Sequence, residues 1–282
     1  MIVAQVDETV QFVTQPDHAA LAGKFADHWG SDAVERPSPF ASLTIAAYTH
    51  DDGWWDYDRR PHLDGDGEPV DFREMPADTW TALYDDGIDS VVDIDRYAGL
   101  LVSMHGAGLR NQRYGLSPSW PETPKEFAPF VEQEEKRQRR LFDSLRESDD
   151  VDHLTAADER ALTALHESGS PPSGTDSRLW AHYKLLQAWD ALSLSFCVTT
   201  SPPGYETIDA VPTGVGDDVT LSITRVDDGE FRIDPYPFDT APLDLSVPTR
   251  TVRAGAFDDE SSLVRKYYEA QRETRSVTLR PN

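Results

Sequence analysis

The stretch Leu185-Leu-Gln-Ala-Trp-Asp-Ala-Leu-Ser-Leu194 places a carboxylate in the middle of an apolar helical segment. Leu186 and Leu194 lie one turn to either side of Asp190, so the Asp190 side chain shares their buried face. Burying a carboxylate costs several kcal/mol unless a metal ion, an arginine or several hydrogen-bond donors compensate its charge. Asp190 is therefore a candidate metal ligand, with a buried ion pair as the alternative.

Three other predicted helices also turn metal-competent side chains toward the core. They are His18 in the helix predicted over 17–29, the pair His50-Asp51 at the end of 40–50, and His105 in 97–109. A single core histidine is more often hydrogen-bonded than ligating, but four helices with inward imidazoles or carboxylates favour one shared site. Imidazole combined with carboxylate suits a divalent transition metal (Zn, Fe, Mn or Ni) rather than Ca.

The hydrophobic pattern predicts a mainly α protein, a helical bundle with a short N-terminal β-hairpin and a smaller β-rich C-terminal part. Helical spacing dominates residues 1–200 after a hairpin over Ile2–Val13, and the apolar pattern changes to period two after Ser201–Gly204. We expect two units, a body of residues 1–200 and a C-terminal subdomain of residues 201–282. Further helices are predicted at about 78–86, 125–146, 155–167, 178–198 and 261–272, and strands at 219–224, 231–233, 243–247, 251–253 and 276–279.

The composition excludes two classes of partner. The chain carries 51 acidic and 26 basic residues, a formal net charge of −25. Nucleic-acid backbones and anionic membrane surfaces both require clustered Lys and Arg, so we expect no binding to either. Of the basic residues 21 are arginines, and this pattern favours adaptation to a salt-rich cytoplasm in which stability rises with salt. The alternative is an acidic surface that recognises a basic partner.

The sequence also predicts a cytoplasmic location. Cys197 is the one cysteine, so no disulfide can form within the chain, as expected in a reducing compartment. The N-terminal residues lack the pattern of a signal peptide, and no apolar stretch reaches transmembrane length.

The order His18, His50-Asp51, His105, Asp190 resembles the HD superfamily of metal-dependent phosphohydrolases, over a region from about His18 to Cys197. The resemblance implies an HD-like helical bundle in which His18, His50, Asp51 and Asp190 hold one metal. It implies that Asp51 also orients the attacking water or bridges to a second metal. It implies that His105 is a second-metal ligand or an acid that faces the phosphate.

A second metal would need one more histidine, and the candidates are His153, His166 and His182. His182 lies about 80° around the helix from Asp190, so we expect a single metal.

A closer resemblance runs along nearly the whole chain, to an uncharacterised family named domain of unknown function 3891. Its motifs stand here as Thr14-Gln-Pro-Asp-His-Ala-Ala-Leu-Ala-Gly23, His50-Asp-Asp-Gly-Trp54, Leu101-Val-Ser-Met-His-Gly-Ala-Gly-Leu109, Leu185–Leu194 and Pro235-Tyr-Pro-Phe238. That family implies no activity.

Residues that follow the predicted ligands could contact a small-molecule substrate. Arg59 and Arg110 carry guanidinium groups that suit phosphate or carboxylate, although pairing with the many surface carboxylates is the alternative. Trp54 could form a wall of a cleft, or it could belong to the core.

Three functions fit the predicted site: a metal-dependent hydrolase of a phosphoester or nucleotide-type small molecule, an HD-type iron oxygenase, or a non-catalytic sensor of metal or ligand. The sequence leaves the oligomeric state open.

Overall fold

The computed structural model describes residues 1–117, 120, 122–148, 154–167, 172, 176–197, 207–255 and 257–282. Its helices are α1 (Gln15–Asp27), α2 (Phe40–Thr49), α3 (Ala77–Ile94), α4 (Arg96–Asn111), α5 (Ala128–Glu147), α6 (Ala156–Glu167), α7 (Arg178–Cys197) and α8 (Glu260–Glu269). Most of these match the predicted bounds within a few residues, whereas α3 continues well beyond its predicted end. None of these helices is long and apolar enough to cross a membrane.

The strands are β1 (Ile2–Val6), β2 (Thr9–Val13), β3 (Thr207–Gly214), β4 (Asp217–Asp227), β5 (Glu230–Asp234), β6 (Leu243–Arg253) and β7 (Arg272–Pro281). They form one seven-stranded sheet in the order β1-β2-β6-β7-β5-β4-β3. The neighbours pair antiparallel except β5 and β7, which are parallel.

The predicted fold class, a mainly α HD-like helical bundle with a separate short hairpin and a smaller β-rich C-terminal part, is wrong. The N-terminal hairpin is the edge of the same sheet as the C-terminal strands, because β2 pairs with β6 from Thr9↔Arg253 to Phe12↔Arg250. This pairing joins opposite ends of the chain, so local hydrophobic periodicity carries no signal for it.

Helices and sheet share one hydrophobic core. The Phe196 ring of α7 lies 4.8 Å from the Phe231 ring of β5, and Phe25 of α1 stacks on Phe238 at 5.6 Å. The division of the chain at residue 200 stays a prediction, and the predicted boundary Ser201–Gly204 lies outside the described residues.

Helix α7 passes through this core. Every residue from Leu179 to Asp190 is buried, and the helix contacts α1, α2, α4, α6 and β3. Asp190 is therefore carried into the interior by a helix that has little exposed surface.

Two glycines fix the turn that follows α2. A Cβ atom at Gly53 would overlap the carbonyl oxygen of Leu83, and one at Gly87 would lie 2.6 Å from the Gly53 nitrogen. The turn carrying His50-Asp51 and the helix α3 are thus in direct backbone contact. The contact places Tyr84 of α3 beside Asp51.

We predict that Gly87→Ala destabilises the protein by about 1–3 kcal/mol, because the added methyl group forces the turn and α3 apart. In an ordinary helix interior the same change stabilises by about 0.5–1 kcal/mol, so the expected sign is reversed. Urea unfolding measures the difference. The control is Gly65→Ala, since Gly65 is exposed and a Cβ atom there would have no neighbour within 4 Å. A Gly87→Ala variant as stable as the wild type would contradict the close contact.

Candidate metal centre

Five buried side chains from four parts of the helical layer meet at one point. His18 comes from α1, His50 and Asp51 from the end of α2 and the turn after it, His105 from α4 and Asp190 from α7. All five are at most 5 % exposed. They form two groups whose candidate ligand atoms lie within 4.8 Å of one another: His18, His50 and Asp51, and His50, His105 and Asp190.

The distances within the cluster are compatible with donors around a common ion. His18 Nε2 lies 2.9 Å from Asp190 Oδ1 and 3.3 Å from His50 Nε2. His50 Nε2 lies 3.5 Å from Asp51 Oδ2, and His105 Nε2 lies 3.6 Å from Asp190 Oδ2. Two donors that each sit about 2.0–2.2 Å from one metal are at most about 4.4 Å apart. The four separations all fall below this limit.

Hydrogen bonds behind the cluster set the tautomers of two imidazoles. His50 Nδ1 donates to the carbonyl oxygen of Ala47 at 2.9 Å. The Ser193 hydroxyl donates to the Asp190 carbonyl at 2.9 Å, so it accepts from His18 Nδ1 at 2.7 Å. In its neutral form each ring therefore directs an Nε2 lone pair at the cluster, the arrangement typical of metal-binding histidines.

His50 belongs to both groups, and this favours a single ion. Its Nδ1 is occupied by Ala47, so it has one lone pair to give, that of Nε2. An imidazole nitrogen binds one metal at a time. The two groups are therefore most simply overlapping parts of one centre.

The buried imidazoles and carboxylates shift each other's pKa values. Burial would lower the pKa of His50, but the charges of Asp51 and Asp190 raise it to about 9. Burial would raise the pKa of Asp190, but hydrogen bonds from His18 and His50 hold it well below its usual range. The ion-pair partners of Asp190 in the described part of the chain are His18, His50 and His105. None is an arginine, so the buried Arg–Asp pair considered from the sequence is not what surrounds Asp190.

His105 differs from the other two histidines. Burial lowers its pKa to about 4, so the ring is neutral at pH 7. Its Nδ1 is buried and has no hydrogen-bond partner among the described residues. A neutral ring whose Nε2 lies 3.6 Å from the Asp190 carboxylate suits a ligand better than a proton donor.

Two residues of the site carried no signal in the sequence. The Tyr84 hydroxyl donates to Asp51 Oδ1 at 2.6 Å, and burial together with the Asp51 charge raises its pKa. Ser193 fixes the His18 ring as described above. Neither residue belongs to a recognisable motif. Their roles arise only because α3 and α7 pack so that Tyr84 lies beside Asp51 and Ser193 lies beside His18.

The three predicted substrate residues lie in different surroundings. The Arg110 guanidinium stacks 3.8 Å from the Trp80 ring, which itself stacks on Tyr84 at 4.0 Å. Arg59 is largely exposed and pairs with Asp56 at 3.4 Å, and no contact joins it to the cluster in the part that the structure describes. Trp54 is 1 % exposed and packs edge-on against Tyr84, so it has the core position considered as its alternative.

The two remaining candidate histidines that the structure describes, His166 and His182, lie apart from the cluster. His166 Nε2 bonds to Gln138 at 2.7 Å, and the Tyr97 hydroxyl lies 2.7 Å from His182 Nδ1. Burial lowers the pKa of His166 to about 4 and that of His182 to about 3, as expected of neutral core residues. His153 lies outside the described residues.

Comparison with known proteins gives a family. The family model described as protein of unknown function (DUF3891) matches residues 1–254, a region that includes all five cluster residues. No curated protein and no solved structure matches the chain, and the resemblance to the HD superfamily has no counterpart in these findings. Because the match covers most of its length, the chain belongs to the DUF3891 family of proteins of unknown function.

Proposed function

We propose that the protein is a metal-dependent hydrolase of a phosphoester in a small molecule. The proposal rests on the buried convergence of three imidazoles and two carboxylates. His18, His50, Asp51 and Asp190 would hold one divalent ion, and His105 would be a fifth donor. The donor chemistry fits Mn, Fe, Zn or Ni, since these metals accept imidazole and carboxylate together.

Such an ion, when bound, lowers the pKa of a water molecule and polarises a phosphoryl oxygen. The protein's own groups position the reaction. Tyr84 holds Asp51 Oδ1 in a 2.6 Å hydrogen bond, which leaves Oδ2 toward His18 and His50. Asp51 is thereby oriented to accept a proton from a water at the cluster.

Arg110 supports an anionic substrate. Its guanidinium lies between the rings of Trp80 and Phe127, at 3.8 and 4.4 Å, and its Nε is buried without a hydrogen-bond partner in the described part of the chain. Burial lowers its pKa, while nearby Tyr84 acts in the opposite direction. A guanidinium that is desolvated and incompletely paired is a favourable site for a phosphate oxygen.

An iron oxygenase is the second candidate, and one observation favours it. Each of the two groups contains two histidines and one carboxylate, the ligand set of many non-haem iron oxygenases. A metal or ligand sensor would use the same donors without turnover. Elemental analysis separates the candidates, because Zn or Mn favours hydrolysis and iron favours oxygenation.

We predict that Asp190→Asn abolishes metal retention while the fold persists. The amide is nearly isosteric, and the side chains that face it are imidazoles rather than an arginine left without its counter-charge. Metal content per chain is measured by elemental analysis after purification without chelator, with circular dichroism to check folding. His166→Gln, a buried histidine outside the cluster, is the control and should keep the wild-type content. A folded Asp190→Asn variant with full metal content would remove Asp190 from the site.

We also predict that Arg110→Met raises KM for a phosphate monoester such as p-nitrophenyl phosphate by about tenfold or more. A charge-assisted hydrogen bond contributes about 1.5–3 kcal/mol, and methionine keeps the apolar packing between Trp80 and Phe127. Steady-state kinetics on the metal-loaded protein measure the change, with exposed Arg225→Gln as the matched control. Unchanged kinetics in Arg110→Met would exclude Arg110 from substrate binding, and absence of hydrolysis across a panel of phosphoesters would contradict the proposed function.

A further inference from the structure

A second site is indicated by a cavity of about 350 Å³ between the N-terminal part of α1, the strand β6 and the helix α8. None of the five cluster residues is among those that line it. The volume lies at the small end of the range of about 300–1,000 Å³ found for ligand pockets. The cavity is therefore of a size for one small molecule.

Exposed aromatic rings concentrate at this cavity. Trp55 is 63 % exposed and Tyr268 is 56 % exposed, and both line it. They are the only aromatic side chains among the large apolar residues that the described part of the chain leaves exposed. Exposed aromatic surface at a concave site is a common mark of ligand binding. The faces of these aromatic rings stack most favourably on another planar ring, such as a nucleobase.

The same cavity gathers positive charge on a strongly acidic protein. Arg59, Arg250 and Arg272 line it, against the carboxylates of Asp17 and Asp58. Both carboxylates already have partners. Arg272 binds the two oxygens of Asp17 at 3.0 and 3.1 Å, and the Met1 ammonium lies 2.8 Å from Asp58. Arg59 uses one Nη1 in a 3.4 Å pair with the exposed Asp56, and Arg250 uses its Nη1 on two backbone carbonyls, so each guanidinium keeps its other N–H groups for an anion.

The cationic and aromatic groups are held in place relative to one another. Arg250 lies 5.1 Å from the Tyr267 ring and 5.6 Å from the Tyr268 ring, and its Nη1 donates to the carbonyls of Tyr267 and Ala270. The Tyr268 hydroxyl donates to the carbonyl of Arg59. A ligand would therefore meet a preorganised surface, which reduces the entropy lost on binding.

We propose that this cavity binds a nucleoside phosphate of mononucleotide size, with its base against Trp55 and Tyr268 and its phosphate at Arg59 and Arg250. The inference does not depend on the proposed hydrolase, because it uses none of the metal-centre residues. A ring alone would leave the arginines unused, and inorganic phosphate alone would leave the aromatic faces exposed.

The test is titration of the wild-type protein with AMP and GMP, followed by tryptophan fluorescence and calorimetry, at the salt concentration of highest stability. We expect saturable binding of one nucleotide per chain that persists in EDTA. Trp55→Ala should weaken it by about tenfold, since a stacked base contributes about 1–3 kcal/mol. Arg59→Gln should also weaken it, and Arg225→Gln, an exposed arginine elsewhere, should not. The two exposed positions can be changed with little effect on folding.

Four results would overturn the proposal. The first is that neither nucleotide binds; if Trp55→Ala then also alters the oligomeric state, this surface is a protein contact. The second is that binding is unchanged in both Trp55→Ala and Arg59→Gln. The third is that binding is lost in EDTA, which would place the nucleotide at the metal centre. The fourth is that inorganic phosphate binds as tightly as AMP, which would leave the aromatic rings without a role.

Discussion

Two carboxylates lie almost fully buried beside a cluster of three imidazoles: Asp190 contacts His18, His50 and His105, and Asp51 contacts His18 and His50. Charges in such a position cost several kcal/mol each unless they are compensated. The protein's own compensation includes hydrogen bonds from Tyr84 to Asp51 and from His18 and Tyr114 to Asp190, and a positive charge on His50, whose pKa is raised to about 9. A divalent cation would balance both carboxylates with all three imidazoles neutral, the state in which imidazoles bind metals. The negative charge of the two carboxylates therefore favours a bound cation, as the short distances between the ligand atoms do.

The fold brings these groups together by packing that leaves little freedom. Helix α7 is buried on all sides just before Asp190, and Ser193 on the next turn sets the orientation of His18. The turn with His50 and Asp51 is pressed against α3 at Gly53 and Gly87. The sheet lies behind the helices and shares their core through Phe196 and Phe231. It contributes support to the centre, because the cluster residues all come from the helical layer and the turn after α2.

The sequence predicts features that depend on residues close together in the chain and does not predict those that depend on distant residues. Helices were predictable because apolar spacing is local, and Asp190 was conspicuous because a carboxylate inside an apolar run needs a partner. The sequence does not predict that the N-terminal hairpin joins the C-terminal strands, because β2 and β6 come from opposite ends of the chain. Strand β3 is not among the predicted strands, and its pairing with β4 has irregular register. Tyr84 and Ser193 have no motif, since their roles arise only from tertiary contacts. Of the two neighbouring tryptophans, Trp54 is buried and Trp55 is exposed, a difference that the local sequence does not reveal.

Whether five side chains from four parts of the fold hold one metal ion can be observed by X-ray diffraction. Crystals grown with Mn²⁺ or Zn²⁺ would be measured at the absorption edge of the metal. We expect one anomalous peak per chain, about 2.0–2.2 Å from Nε2 of His18 and His50 and from the carboxylate oxygens of Asp51 and Asp190. A metal-free cluster in such crystals, or a peak bound only elsewhere on the acidic surface, would contradict the assignment of a metal centre.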